Sequence, residues 1–228
     1  AALTIGRGLL RARFAIGRIR PAVAVGFGGY PTVPTMLAAM WAKVPTIVHE
    51  QNAVLGRANK LLAPRATRVA SSFATVGGLD LPKSRLVQTG NPVRPAVIAA
   101  SSTPYAARSA DEPFHLLVFG GSQGARVFSD LVPAAIALLS EPVRARLRIV
   151  QQCRPEDLGR VHQGYELLGV AADLGPFFMD MPSRIAASHL VLCRSGASTC
   201  AELAVIGRPA ILVPLPHALD QDQRANAD

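Results

Sequence analysis

The stretch Phe114–Arg126, FHLLVFGGSQGAR, decides how this chain folds. Phe114 to Phe119 are almost all apolar and read as one buried strand. Gly120, Gly121, Ser122, Gln123 and Gly124 follow at once as a tight turn, and a helix begins behind them. Strand, glycine turn and helix together open a parallel α/β unit. The glycines let the backbone bend sharply and approach a ligand closely. The helix start offers unpaired N–H groups and a partial positive charge, which suits a diphosphate, with the Ser122 hydroxyl as a further donor. The spacing is neither that of a P-loop nor GxGxxG, and an ordinary strand-to-helix turn without a ligand is the alternative.

The same pattern recurs on either side. Leu190–Cys193 is a strand, CRSGASTCAE (Cys193–Glu202) turns out of it, and the helix Thr199–Ile206 is closed by Gly207. Glu202 has two readings. It is a carboxylate for a ribose diol, as acidic residues are in nucleotide-binding folds, or the capping-box partner of Thr199 three positions earlier. Ala210–Val213 is another strand, followed by PLPHALDQDQ (Pro214–Gln223). There Asp220, Gln221 and Gln223 suit sugar hydroxyls or form a plain polar loop. Leu147–Gln151 reads as a strand and Gln163–Leu168 as a helix, and Pro133 ends, kinks or opens a helix.

Toward the N-terminus the alternation repeats. Ile5–Ile19 is an amphipathic helix, Ala22–Gly26 a strand, Val33–Ala42 a helix and Thr46–His49 a strand. Leu55–Leu62 is a short helix, and Arg68–Ala70 and Arg85–Gln88 are strands. GFGGYPT (Gly26–Thr32) is a turn whose amides suit a phosphate, or a bare turn. HEQN (His49–Asn52) sets a His beside a carboxylate, either as a base or as a structural pair. Asn91–Pro113, with four prolines and Ser101, Ser102 and Thr103, reads as a linker.

Bulk properties narrow the class. Half of the 228 residues are hydrophobic and 17% are charged, which excludes a disordered chain. The net charge of +9 is uneven. Ala1–Arg94 holds thirteen Lys and Arg against Glu50 and Asp80, a net of +11, and the remainder is slightly acidic. A strongly basic half suits an anionic partner, although an Arg-rich proteome gives the same bias. Nucleic acid is disfavoured, because aromatics make up only 5% and no RNA or DNA motif is present. Cys153, Cys193 and Cys200 lack metal-ligand spacing, so no metal and no cofactor is expected, and they fit a reducing compartment. The apolar run Thr35–Val48 is broken by Lys43 and Pro45 and is too short to span a bilayer.

In their order, GFGGYPT, PTIVHEQNAVLGRANKLLA, TGNPVR, VFGGSQGAR, LVLCRSGASTCAELAVIGRPAILVPLP and HALDQDQ resemble the MurG family. These are N-acetylglucosaminyltransferases acting on a lipid-linked muramyl-pentapeptide. The resemblance implies an α/β GT-B fold, with two Rossmann-like lobes around a cleft. Residues 1–94 would form the acceptor and membrane lobe and 95–228 the donor lobe, both truncated relative to the family.

It further implies that UDP-N-acetylglucosamine is bound by Asn52, Arg94, Ser122, Met179 (through its backbone), Ala197, Ser198, Thr199, Cys200, Ala201, Glu202 and Gln223, with Gln221 as the alternative to Gln223. Gly28, Gly29 and Tyr30 would belong to the acceptor side. The family's usual base would precede the present start, which leaves His49 as the visible substitute. The implied reaction is an inverting transfer to the 4-hydroxyl of the muramyl sugar. It would take place at the cytoplasmic face of the bacterial inner membrane, on an anionic surface docked by Leu9, Leu10, Met40 and Trp41 with Arg7, Arg11, Arg13 and Lys43. The rivals are another UDP-sugar enzyme of this fold, such as an epimerase, and a non-catalytic nucleotide-sugar-binding subunit.

Overall fold

The computed structural model describes residues 2–106, 109, 111–121, 125–216 and 220–228. These divide into two compact units. The first comprises Ala1–Asn91 with Pro216–Asn226 and Asp228, and the second Pro92–Leu215 with Ala227.

The first unit runs α1 (Ala2–Ile19), β1 (Ala24–Gly26), α2 (Thr32–Trp41), β2 (Thr46–Glu50), α3 (Arg57–Leu62), β3 (Arg68–Ser71) and β4 (Leu86–Gln88). Its four strands are parallel in the order β1-β2-β3-β4, with Val48 facing Gly26 on one side and Val69 on the other. Met36, Val48, Leu62 and Ala66 close the core beneath α2 and α3.

Helix α1 carries one inward apolar stripe and several exposed apolar residues. Leu9, Ala12 and Ile16, at helical spacing, turn inward against Ala38 and Ala39 of α2. Leu10, Phe14 and Ile19 face solvent, Phe14 at 75% exposure, and Trp41 at the end of α2 is 63% exposed. Arg7, Arg11, Arg13, Arg18 and Lys43 are exposed as well. Of the four apolar residues expected on a docking surface, Leu9 and Met40 therefore pack inward, while Leu10 and Trp41 face out.

The second unit runs α4 (Pro95–Ala100), β5 (Phe114–Phe119), α5 (Arg126–Ala137), α6 (Glu141–Arg146), β6 (Leu147–Gln152), α7 (Leu158–Leu167), β7 (Ala171–Gly175), α8 (Met181–Ala187), β8 (Leu190–Cys193), α9 (Ala197–Ile206) and β9 (Ala210–Leu212). A short helix, α10 (Asp222–Ala227), follows, most of it counted with the first unit.

The five strands are parallel in the order β7-β6-β5-β8-β9, with β5 central. Successive residues of β5 feed opposite cores. Leu116 and Val118 pack with Val132, Ile136, Val161 and Tyr165 of α5 and α7. Leu117 and Phe119 pack with Val97, Ile185, Leu203 and Ile206 of α4, α8 and α9. The strand order reverses between β5 and β8, and a crevice opens at such a point beyond the carboxyl ends of the strands.

One expectation needs correction, one narrows, and three elements are added. The stretch Asn91–Pro113 is not only a linker. Pro95 opens α4 at its first turn, where a missing N–H costs nothing, and Val97 is fully buried. Pro133 neither ends nor opens a helix but lies inside α5. The Ser129 carbonyl that it leaves without a helical partner receives Arg160 Nη1 at 3.4 Å. The elements α6, β7 and α8, which the sequence reading passed over, complete the sheet and its cover.

Candidate active site

At the switch point of the second unit, β5 ends at Phe119 and runs into Gly120. A Cβ at Gly120 would stand 2.3 Å from the Ala125 nitrogen, so the chain folds back on itself there and only glycine fits. Ser122 lies outside the described residues. Helix α5 then starts behind Ala125 with no side-chain cap.

Across the switch, β8 ends at Cys193, and α9 starts behind Gly196, also with no side-chain cap. Two helix N-termini thus follow the carboxyl ends of adjacent strands, and neither has a side-chain cap among the described residues. An oxyanion-rich ligand such as a diphosphate meets both requirements.

Because α9 begins at Ala197, Thr199 is its third residue and not its N-cap. The capping-box reading of Glu202 is therefore overturned. Glu202 instead accepts from Arg94, at 3.1 Å from Nη2 and 3.3 Å from Nε, both on Oε1. The carboxylate side chain is 17% exposed and the guanidinium side chain 63%. Two residues assigned separately to the donor, 108 positions apart, are thus brought together.

Ala197, Ser198, Thr199, Cys200 and Ala201 form the first turns of the same helix. Burial pushes the Cys193 thiol up to about 12 and raises that of Cys200, which favours the neutral thiol at both. Met179 lies in the turn after β7 with its side chain in solvent. The sequence reading missed Arg194. Its Nη1 donates to the carbonyls of Val213 and Pro214, tying the ends of β8 and β9 together, and its guanidinium lies over the Phe128 ring.

The first unit holds a cavity of 580 Å³, lined by Phe27, Gly28, Gly29, Tyr30, Glu50, Gln51, Asn52, Arg57, Asn59 and Asp220 among others. It unites the GFGGYPT and HEQN segments. Gly28 has φ +80°, and a Cβ there would meet Asn59 Nδ2 at 3.2 Å. The Thr32 hydroxyl holds the Gly28 carbonyl.

His49 is 5% exposed and both its ring nitrogens are engaged. Nε2 faces the Gly90 carbonyl at 3.0 Å and so carries the proton, and Nδ1 accepts from Gln51 Nε2 at 3.2 Å. In this arrangement no lone pair is left to take a substrate proton, which favours the structural reading of the pair.

Glu50 is 1% exposed, and no Lys or Arg pairs with it among the described residues. Its Oε1 accepts from Asn52 N and Nδ2, and its Oε2 from Gly56 N and Asn59 Nδ2, at 2.8–3.3 Å. Four donors replace the water that a buried carboxylate would lose. Gln221 stands at the N-cap position of α10 with φ +53°, Gln223 is half-buried two residues on, and Asp220 lies 3.6 Å from Arg57 and 3.7 Å from Lys60. Among the described residues no group of three or more His, Cys, Asp or Glu could hold a metal ion.

Comparison with known proteins gives consistent matches. Residues 115–228 match the glycosyltransferase family 28 C-terminal domain and residues 1–71 its N-terminal domain. The chain is 61% identical to a Methylobacterium sp. (strain 4-46) protein over 100% of its own length and 62% of the relative's. It is 59% identical to one from Rhizobium rhizogenes over 98% and 60%. Both are called UDP-N-acetylglucosamine–N-acetylmuramyl-(pentapeptide) pyrophosphoryl-undecaprenol N-acetylglucosamine transferase.

The solved structure of MurG from Acinetobacter baumannii superposes with a TM-score of 0.81 at 31% identity, over 100% of this chain and 63% of that one. A UDP-GlcNAc 2-epimerase from Neisseria meningitidis shares the fold alone, with a TM-score of 0.64 at 12% identity over 92% of this chain and 63% of that one. The chain spans about three fifths of the length of the relatives it matches.

Proposed function

The chain belongs to glycosyltransferase family 28, and from that premise we propose that it serves the transfer of N-acetylglucosamine from UDP-N-acetylglucosamine to a lipid-linked muramyl-pentapeptide. Its relatives at about 60% identity carry that activity in their names. The observation that carries the reading is the switch point of the second unit, where two helix N-termini without a side-chain cap among the described residues follow adjacent strands, and Arg94 holds the Glu202 carboxylate.

In this reading the diphosphate lies on the N–H groups of α9 and meets the Ser122 hydroxyl. The ribose hydroxyls donate to Glu202, and the uracil meets the backbone of Met179. Arg94 keeps Glu202 oriented. In the first unit, Gly28, Gly29 and Tyr30 line the cavity offered to the acceptor, and Asn52 with Gln223 or Gln221 reads sugar hydroxyls.

The 4-hydroxyl of the muramyl sugar attacks the anomeric carbon, and the bond to UDP breaks. The hydroxyl proton passes to a base, and the electron pair leaves on the UDP oxygen. The α-linked donor gives a β-linked product in one inverting step. The helix N-termini stabilise the charge growing on UDP. His49 in its present hydrogen bonds does not supply the base. Transfer of labelled sugar to the lipid-linked acceptor tests this reading.

The acceptor is anchored in a membrane, and the exposed apolar residues Leu10 and Phe14 of α1 suit contact with one. No helix among the described residues is long and apolar enough to cross a bilayer. Leu10, Phe14 and Trp41 are instead exposed apolar residues, and Arg7, Arg11, Arg13 and Lys43 are exposed cations of the same helix pair and its C-terminal turn. This fits docking on the anionic cytoplasmic face. Each basic residue near such a surface contributes roughly 1 kcal/mol. Changing these four to Glu should weaken binding to phosphatidylglycerol vesicles about a hundredfold or more. Equal binding by the variant in a vesicle co-sedimentation assay would remove the docking surface from the account.

A further inference from the structure

One carboxylate dictates the orientation of three asparagine amides, and the last of them holds α10 in place. Glu50 is buried among N–H donors only and, as a carboxylate, can only accept. Asn52 must therefore turn Nδ2 toward Glu50, which leaves its Oδ1 facing the other way. There it accepts from Asn226 Nδ2 at 3.0 Å. Asn226, 7% exposed, is in turn obliged to present Oδ1 to the Ala53 N–H, at 2.8 Å. The third amide, Asn59, is fixed by donating from Nδ2 to Glu50 Oε2 and to the His49 carbonyl. Each step follows from the one before, so Asn226 has a single acceptable orientation.

Asp220 forms a second anchor, lying near Arg57 and Lys60 of α3. Gln221 and Gln223 lie between the two anchors along the chain.

We propose that Asn226 is a positioning residue for sugar recognition: its side chain, oriented by Glu50 through Asn52, latches α10 onto residues 52–53 and so sets Gln221 and Gln223 beside Asn52. The function rests on the donor reading above, because the ligand concerned is the sugar of UDP-N-acetylglucosamine. The residues assigned to the nucleotide in that reading have no part in the latch, so a defective latch loosens the sugar and spares UDP.

Two variants and two readouts test this. Asn226→Ala removes both bonds. Asn226→Asp keeps the size and the bond from Ala53 but sets an acceptor against Asn52 Oδ1. Asn52 cannot flip in response, because its Oδ1 would then face Glu50. Asp is therefore expected to fail as badly as Ala, an outcome that a role in filling space does not give. Titration of the protein should show UDP affinity unchanged and UDP-N-acetylglucosamine affinity lowered about tenfold in both variants. Wild-type sugar affinity in Asn226→Asp, or an equal loss for UDP and the UDP-sugar, would overturn the proposal.

Amide hydrogen exchange tests the latch without a ligand. The Ala53 N–H should lose protection in Asn226→Ala while the Gly56 N–H, bonded to Glu50, keeps it. Equal Ala53 exchange in wild type and variant would overturn the latch even if the donor reading stood. A protected Ala53 in a wild-type protein that binds no UDP-sugar would uphold the latch and count against the donor reading alone.

Discussion

Replacing Glu202 by alanine should lower UDP-N-acetylglucosamine affinity roughly a hundredfold and leave the melting temperature unchanged. A hydrogen bond to a charged group contributes about 1.5–3 kcal/mol, and a ribose diol offers two hydroxyls to one carboxylate. The stability half of this expectation follows from the start of α9 at Ala197, which denies Glu202 any capping role. Its ion pair with the largely exposed Arg94 adds little to folding. Glu202→Gln keeps one acceptor oxygen and should lose less. Calorimetric titration with a parallel thermal melt measures both quantities. Undiminished affinity in Glu202→Ala would remove the ribose assignment, and a large fall in melting temperature would return the residue to a structural role.

Arg208→Met should cost about 3–5 kcal/mol of stability. Arg208 is 7% exposed and has no carboxylate among its hydrogen-bond partners in the described residues. Its guanidinium donates to the carbonyls of Ala186, Ile206 and Gly207, at the ends of α8 and α9, and to those of Thr103 and Pro104. The charge sits at the negative ends of two helices, and the fork reaches several acceptors at once. Methionine fills much of the same volume but leaves these carbonyls without their donor. Lysine carries the charge on a single point and cannot reproduce the fork. For a chain of this size the midpoint should fall by roughly 10 °C. A midpoint within about 1 °C of wild type would show that water replaces the guanidinium at no cost.

The parts of the fold that could be read from sequence were those with unmixed patterns. The strand Phe114–Phe119, apolar but for His115, and the strand Leu190–Cys193, apolar throughout, each run into a small-residue turn, so their two β-α units stood out. β7, AADLG, was passed over because it is an edge strand whose residues alternate between exposed and half-buried before Gly175. α8 is short, begins Met-Pro and buries little beyond Pro182, Ile185 and Ala186, too few to declare a period. α4 was hidden because proline at the first turn of a helix looks the same in sequence as proline in a linker.

The candidate site was legible to the extent that it rests on local turns. Glu202 needed the observed helix start to choose between two readings that share one spacing. The network of Glu50, Asn52, Asn59 and Asn226 was out of reach for a different reason. Asn52 and Asn226 stand 174 positions apart, and nothing in a run of polar residues such as RANAD announces a buried amide.

The central claim is most directly tested by incubating the protein with radiolabelled UDP-N-acetylglucosamine and a lipid-linked muramyl-pentapeptide and following the label. The account predicts that label enters the lipid fraction in step with release of UDP, only when both substrates are present, and through a β-linkage. Release of UDP without labelled lipid, or conversion of the UDP-sugar to an epimer in the absence of acceptor, would contradict it.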